Sequence, residues 1–184
     1  VNHYTYRFAK KAEAEGLIVI DDASSILKCT NKVYLHELLV ANKVRVPNSY
    51  ILRKDALEMP PNFKFPIVIK QPDGSFSKGV RKVSDPSELK ETLKELFAKS
   101  ELLIAQEFIP TPYDWRIGII DNKPLYVCKY HMAQNHWQIV DWKKNGEHRE
   151  GKTETIAVED APKGLIEIAL KATSLIGNSL YGVD

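Results

Sequence analysis

Apolar and polar positions along the chain mark out short elements around one dense apolar strand. In Phe65 to Lys82, FPIVIKQPDGSFSKGVRK, Pro66 leads into Ile67, Val68 and Ile69. This β-branched run reads as a buried strand that ends at Lys70. Small and polar residues, Gln71 to Gly79, follow, and Val80 to Val83 resume an extended pattern. The stretch predicts a β-hairpin with a tip rich in glycine and serine. Before it, Tyr4 to Glu15 carry Phe8, Ala9 and Ala12 at helical spacing, with Gly16 as the C-terminal cap. Leu17 to Ile20 predict a short buried strand, and Asp21 and Asp22 its terminating turn. Thr30 and Asn31 offer an N-cap to a helix bearing Val33, Leu35, Leu38 and Leu39. Ser49 to Leu52 read as a strand, and Pro60-Pro61 as a surface connection.

After the hairpin, Asp85-Pro86-Ser87-Glu88 starts a helix whose Leu89, Leu93, Leu96 and Phe97 share one face. Leu102 to Phe108 form the next strand. Ile109-Pro110-Thr111-Pro112 then stops both helix and ladder, which makes it the strongest candidate for a lobe boundary. Trp115 to Ile120 and Leu125 to Met132 are strands joined by a turn at Asp121-Asn122-Lys123. His136 to Val140 read as extended, residues 143–152 as a polar mobile loop, and Thr155 to Val158 as a strand. Asp160-Ala161-Pro162 opens a helix carrying Leu165, Ile168, Ala169, Ala172, Leu175 and Ile176 inward. Gly177-Asn178 ends it. Leu180 to Val183 begin a further strand for which the pattern offers no partner, as if the chain were cut there.

Composition narrows the classes. The chain has 184 residues, 43% hydrophobic and 27% charged, with a formal net charge of +2. That is an ordinary globular composition with too little charge to argue for nucleic acid. The lysines are dispersed and the aromatics do not interleave with them, unlike a single-strand-binding surface. No apolar run reaches membrane-spanning length. Cys29 and Cys128 form no metal pattern and suit a reducing, cytoplasmic setting.

The glycine-serine tip supplies the first candidate chemistry. Backbone N–H groups of such a loop can fold over phosphate oxygens, and Lys70 adds a point charge beside them. The spacing Gly74-x-x-x-x-Gly79 is not a Walker A loop, because Val80 and Arg81 follow where that loop needs Lys, then Ser or Thr, and a helix. Lys32 lies in the first turn of its helix. A cation there opposes the helix dipole and needs an anionic partner or solvent.

Three pieces therefore stand in order: Asn31-Lys32 opening a helix, FPIVIK before a glycine-serine loop, and Gln106-Glu107-Phe108-Ile109 before a break. With NKVYLHELL, LIAQEFIPTPYDWRIGI and LYGVD, this order resembles the ATP-grasp superfamily, and within it the RimK-like carboxylate–amine ligases. RimK family proteins also carry a run similar to CKYHMAQNHWQIV. The resemblance implies an α+β ATP-grasp fold of two lobes with the nucleotide between them, incomplete at both ends. Residues 1–29 would end an N-terminal region, 30–108 form the first lobe, and 109–184 the second.

By position, the resemblance gives Lys32 and Lys70 to the ATP phosphates. Gly74, Ser75, Ser77 and Gly79 belong to a mobile lid over them. Gln106, Glu107, Phe108 and Ile109 go to the adenine at the hinge, Asp114 to the ribose, and Asp184 to Mg²⁺. Where RimK carries an arginine, this chain offers Lys129 beside Tyr130. Lys129 would serve as the cation for the transferring phosphoryl group or the substrate carboxylate. Arg116 pairs with a phosphate or with a local carboxylate. His131 and His136 read as half-buried strand residues and Trp137 as packing. The implied activity joins a small-molecule or peptide carboxylate to an amine through an acyl phosphate, with ATP and Mg²⁺. The family's later metal-binding glutamate and asparagine do not follow Asp184, so weak Mg²⁺ binding and little turnover are expected of the chain itself. Nucleotide sensing without chemistry, and phosphoryl transfer to a stable product, are the rival functions.

Overall fold

A computed structural model describes residues 3–56, 63–74, 79–142 and 146–184. The predicted lid residues Ser75 and Ser77 and the Pro60-Pro61 connection lie outside the described residues, as does part of the polar loop, residues 143–145. The elements in order are α1 (His3–Ala14), α2 (Ala23–Thr30), α3 (Lys32–Ala41), β1 (Ser49–Arg53), β2 (Ile67–Lys70), β3 (Val80–Val83), α4 (Pro86–Phe97), β4 (Leu102–Glu107), β5 (Tyr113–Ile120), β6 (Lys123–His131), β7 (Val140–Trp142), β8 (His148–Glu150), β9 (Thr153–Ile156), a 3₁₀ turn (Val158–Asp160), α5 (Lys163–Ser174) and β10 (Leu180–Val183). They form two compact units. One comprises Cys29–Ala41 and Arg45–Ile109. The other comprises Val1–Lys28, Asn42–Val44 and Pro110–Asp184.

The first unit is an antiparallel sheet in the order β1-β4-β2-β3. Its two faces divide by strand alternation. Ile67, Ile69, Val83, Leu103 and Ala105 point toward α4 and close a core with Leu89, Leu93, Leu96 and Phe97. The start of α4 behaves as its sequence requires. The Asp85 carboxylate accepts from the N–H groups of Ser87 (2.8 Å) and Glu88 (2.9 Å), and Glu88 reaches back to the Ser84 N–H at 2.7 Å. The opposite face carries Lys70, Lys82, Gln106 and Ser49, over a floor of buried Val68 and Ile104.

The second unit is built on the sheet β10-β5-β6-β9, also antiparallel. Ile117, Ile119 and Val127 face α5 and form a core with Ala161 and Ala169, joined by Trp115, Leu165 and Val183. The β5–β6 turn is the two residues Asp121 (φ 48°) and Asn122 (φ 56°). Positive φ at both matches the strand twist in a type I′ turn, and Asp and Asn tolerate it. Just beyond, the pairing shifts by one: Ile119 faces Pro124 but Gly118 faces Tyr126. Leu125 is thus the extra residue of a β-bulge. The β7–β8 hairpin leaves this sheet with its base at Gly151. A Cβ on Gly151 would fall inside the His131 carbonyl oxygen, 2.6 Å from the carbonyl carbon and 2.9 Å from the Met132 oxygen.

Five sequence expectations change. Leu17 to Ile20 form no strand; no described strand pairs with them, and Ile18 is 95% exposed. An unforeseen helix, α2, follows instead. Asp22 starts it by accepting from the Ser25 N–H at 2.9 Å and the Ser25 hydroxyl at 2.5 Å. These bonds outweigh the opposing effect of burial and hold the Asp22 carboxyl below its ordinary pKa. β10 does have a partner: it pairs along β5 from Leu180–Ile120 to Val183–Ile117. Trp137 to Ile139 are bend, and His136 belongs to no strand. β7 begins only at Val140, and β8 lies inside the expected polar loop. At α5, Pro162 occupies the N-cap position without a side-chain cap, and Asp160 closes the preceding 3₁₀ turn.

Candidate functional site

In the first unit, Asn31 caps α3, accepting from the N–H groups of Val33 (3.0 Å) and Tyr34 (3.1 Å). It also ties the helix to the turn after β2 through Asn31 Nδ2 and Asp73 Oδ1 at 3.3 Å. Lys32, the first residue of α3, gives its backbone N–H to the Pro72 carbonyl at 3.0 Å. The Lys32 ammonium bonds the Gly74 carbonyl. Burial pushes this ammonium below the ordinary lysine range, and the nearby Asp73 carboxylate restores only part of the loss. A half-buried cation held by carbonyl oxygens at the root of the Gly74–Gly79 loop can exchange those oxygens for stronger phosphate ones.

Lys70, at the end of β2, gives its ammonium to Gln106 Oε1 at 2.6 Å. Gln106 Nε2 in turn donates to the Ser49 hydroxyl at 2.8 Å, and Ser49 Oγ donates to the Pro47 carbonyl at 2.9 Å. This relay fixes which way the Gln106 amide points, because its oxygen must face the cation. Glu107 ends β4 with its carboxylate turned to Asn48, accepting from the backbone N–H (2.8 Å) and from Nδ2 (3.0 Å). The Glu107 N–H also donates to the Asn48 carbonyl at 2.9 Å. The side chain is thereby engaged in fixing the strand end, where the chain continues into Phe108 and the half-exposed Ile109. Lys82 on β3 places its ammonium 4.6 Å from the centre of the Phe108 ring. Gly79 takes φ +72° at the loop's far root, and its carbonyl accepts from the Gln71 N–H at 2.9 Å. Lys32, Lys70, Gly74, Gly79, Gln106, Glu107, Phe108 and Ile109 all belong to this unit.

In the second unit, the two faces of the β5–β6 ladder decide what comes together. Asp114 pairs across from Tyr130, and Arg116 from Cys128, so these four residues share one face. Gly182, paired with Gly118, lies on that face too, and Arg116 Cδ would be 3.3 Å from a Cβ there. The Arg116 side chain therefore lies flat over Gly182 and reaches Asp184. Its Nε bonds Asp184 Oδ1, and its Nη2 meets Oδ2 at 2.7 Å. The Tyr130 ring flanks the guanidinium at 5.2 Å. Burial alone would lower the Arg116 pKa, but the Asp184 carboxylate outweighs it and raises it. Arg116 thus has a local carboxylate as a partner, one of the two that the sequence left open for it. Asp114 Oδ1 accepts from the Thr111 hydroxyl at 3.4 Å.

Lys129 is on the other face. It pairs across from Trp115, on the side of the Ile117 and Val127 core. Its ammonium lies 5.1 Å from the Tyr113 ring centre, 5.3 Å from that of Trp115 and 3.5 Å from Glu154. The structure does not bring Lys129 together with Arg116. Tyr130, which the sequence reading passed over, is the residue of that pair that shares Arg116's face. No local signal could have found it, because the β-bulge at Leu125 sets which β6 residues share that face. His131 meets Glu154 at 3.4 Å and packs edge-on against Tyr113, while His136 meets Gln138 at 3.4 Å. Both histidines have local protein partners.

Among the described residues, no group of three or more His, Cys, Asp or Glu side chains gathers to hold a metal ion. Asp184 offers a hard oxygen donor, and bidentate Arg116 leaves it lone pairs to spare. That suits Mg²⁺, which takes one or two protein carboxylates and completes its shell with phosphates and water. No helix of the described residues is long and apolar enough to cross a membrane.

Compared with known proteins, the sequence matches the RimK-like ATP-grasp domain over residues 29–184. It is 28% identical over 177 residues to the alpha-aminoadipate–LysW ligase LysX of Sulfurisphaera tokodaii, covering 90% of this chain and 57% of that protein. It is also 28% identical to a probable alpha-L-glutamate ligase of Haemophilus influenzae, covering 94% of this chain and 56% of that protein. The chain thus spans a little over half the length of these curated relatives. Among solved structures, the D-alanine–D-alanine ligase of Bacillus anthracis complexed with ATP superposes with a TM-score of 0.70 at 18% identity, over 94% of this chain and 55% of the other.

Proposed function

Because the chain belongs to the RimK-like ATP-grasp family, we propose that it serves ATP-dependent ligation of a carboxylate to an amine. The observation that carries this reading is the sheet face holding Lys70 on Gln106, with Glu107, Phe108 and Ile109 leading on from it. Lys32 and Lys70 would bind the triphosphate. The backbone of Glu107 and Ile109 would read the adenine edge, and Asp114 would take the ribose. Asp184, oriented by Arg116, would hold Mg²⁺, whose chemistry is to screen phosphate charge. Residues 30–108 and 109–184 would be the two lobes of the fold.

In the reaction, a carboxylate oxygen of the substrate attacks the γ-phosphorus and ADP leaves. The amine then attacks the acyl phosphate carbonyl, phosphate departs, and the amine's proton passes to solvent or phosphate. The protein's part is positioning and charge stabilisation. Arg116 and Tyr130 would stand beside the transferring group. The relatives named for alpha-aminoadipate and glutamate support an amino-acid-type substrate. A cytoplasmic location fits an ATP-consuming ligase.

The test is to incubate a chain extended past Asp184, so as to carry the family's later metal-binding glutamate and asparagine, with Mg-ATP, pools of amino acids and short peptides, and hydroxylamine. ADP and acyl hydroxamate should appear together, with the productive pool naming the carboxylate. ADP accompanied by a stable phosphorylated product would replace ligation with phosphoryl transfer. ATP binding with no product in any pool would favour nucleotide sensing.

A further inference from the structure

Lys82 received no site role from the sequence, yet it occupies the candidate nucleotide face. It pairs across from Val68, Val68 pairs across from Gln106, and Gln106 from Ser49. Directly paired residues of an antiparallel sheet point the same way. Lys82, Val68, Gln106 and Ser49 therefore form one row across the face opposite α4. Val68 and Ile104 are buried and give that face an apolar floor. At one side of the floor Lys70 rests on Gln106 at 2.6 Å. At the other, Lys82 lies 4.6 Å from the Phe108 ring centre. The two lysines thus have different partners. Lys70 meets an amide oxygen, which a phosphate oxygen can replace. Lys82 meets an aromatic face, held by attraction between the cation and the ring's electron-rich surface.

We propose that Lys82 is a positioning residue for nucleotide recognition, fixing the Phe108 ring as a wall for the base while Lys70 and Lys32 serve the phosphates. A phenylalanine ring has two side-chain torsions, and the Lys82 ammonium restricts them from β3. Pinning it from β3 before the ligand arrives lowers the ordering cost of stacking a flat heterocycle against it. The role belongs to the base end of the ligand, so it should be felt by a nucleotide and not by a bare triphosphate. The proposal rests on the ATP-binding reading above.

The experiment measures binding of ATP and of inorganic tripolyphosphate, each with Mg²⁺, by calorimetry on the same protein. Lys82→Met should weaken ATP about three- to tenfold, the range expected of one cation–aromatic contact, and leave tripolyphosphate within about twofold. Lys82→Arg, which keeps the stacked cation, should restore ATP affinity. In a Phe108→Leu background, Lys82→Met should add less than about twofold, because the partner is gone. Equal weakening of ATP and tripolyphosphate would overturn the proposal and make Lys82 a phosphate cation. Unchanged ATP affinity in Lys82→Met would overturn it outright. If the unaltered protein bound tripolyphosphate but not ATP, or neither, the nucleotide reading itself would fail, an outcome distinct from failure at Lys82.

Discussion

Replacing Gly151 with alanine tests whether the base of the β7–β8 hairpin is as tightly specified as its geometry indicates. The new methyl group would collide with backbone, namely the His131 and Met132 carbonyls, rather than with a side chain that can swing aside. To reach even 3.0 Å, the limit below which real Cβ contacts essentially never occur, the Gly151 segment must retreat from His131. Two ladder bonds stand in the way of that retreat: Gly151 N–H to Ile139 O at 3.0 Å, and His131 N–H to Lys152 O at 2.9 Å. Leaving one such group unsatisfied costs about 1–3 kcal/mol, and the steric strain of overpacking costs about 1–3 kcal/mol more. Partial relaxation would leave roughly 3 kcal/mol of destabilisation. For a chain of this length that is a fall of about 6–12 °C in Tm. Gly164 is the control. It lies in α5 with nothing within 4 Å of a Cβ. Gly164→Ala should therefore stabilise by up to about 1 kcal/mol through helix propensity. Urea unfolding of both variants, followed by circular dichroism, reads the two effects with opposite signs. A Gly151→Ala protein within about 0.5 kcal/mol of the parent would show that the hairpin base yields freely and refute the argument.

Three further outcomes are expected. Lys70→Met should weaken Mg-ATP binding by about a hundredfold, the loss of one well-placed cation facing phosphate, yet shift stability by no more than about 1 kcal/mol, because its bond to Gln106 is half-exposed. Calorimetric titration beside a melting curve separates the two effects. Lys129→Met should leave Mg-ATP affinity within about threefold, whereas Arg116→Ala should reduce it at least about tenfold. The reverse order in the same titration would return Lys129 to the nucleotide site. Asp22 titrates lower folded than unfolded, so its contribution is complete above its ordinary value near 3.8 and is lost as pH falls through the depressed folded value. Asp22→Asn should keep the cap but flatten the stability–pH curve below about pH 4, as acid titration of the folded fraction would show. A slope unchanged from the parent would mean that other carboxylates dominate there.

Local signals carried much of the fold. Asp85-Pro86-Ser87-Glu88 is a helix start on any chain, and it is one here, bond for bond. Asp121-Asn122 allows positive φ at two successive residues and little else, and it makes the turn. The strands that end in Lys70 and Glu107 were legible because they combine residue type with order. What failed was whatever depended on a partner distant in sequence. Leu17 to Ile20 have strand-like residues, but strand is a property of pairs, and no described strand pairs with them. β10 was misread in the opposite sense, since its partner β5 lies some sixty residues earlier. The face that Lys129 takes was hidden for the same reason: which face of a strand a side chain takes depends on register, and register here includes a bulge. Lys82 and Tyr130 were given no role of their own because neither stands out until its cross-strand neighbour is known.

The extra residue at Leu125 has a consequence of its own. Between the tight turn and the first site residue, that bulge advances β6 by one position against β5. Were the bulge to close with Leu125 still in the strand, every later β6 residue would slip by one partner and change sides. Lys129 would then share a surface with Arg116, Tyr130 would point toward α5, and Val127 would quit the oily interior. A slip of one position in this hairpin would thus give Arg116 a second cation in place of its aromatic flank, with no residue replaced. The hydrophobic contacts of Val127 oppose that trade, so the interior of this unit acts as custodian of which chemistry its outer surface presents.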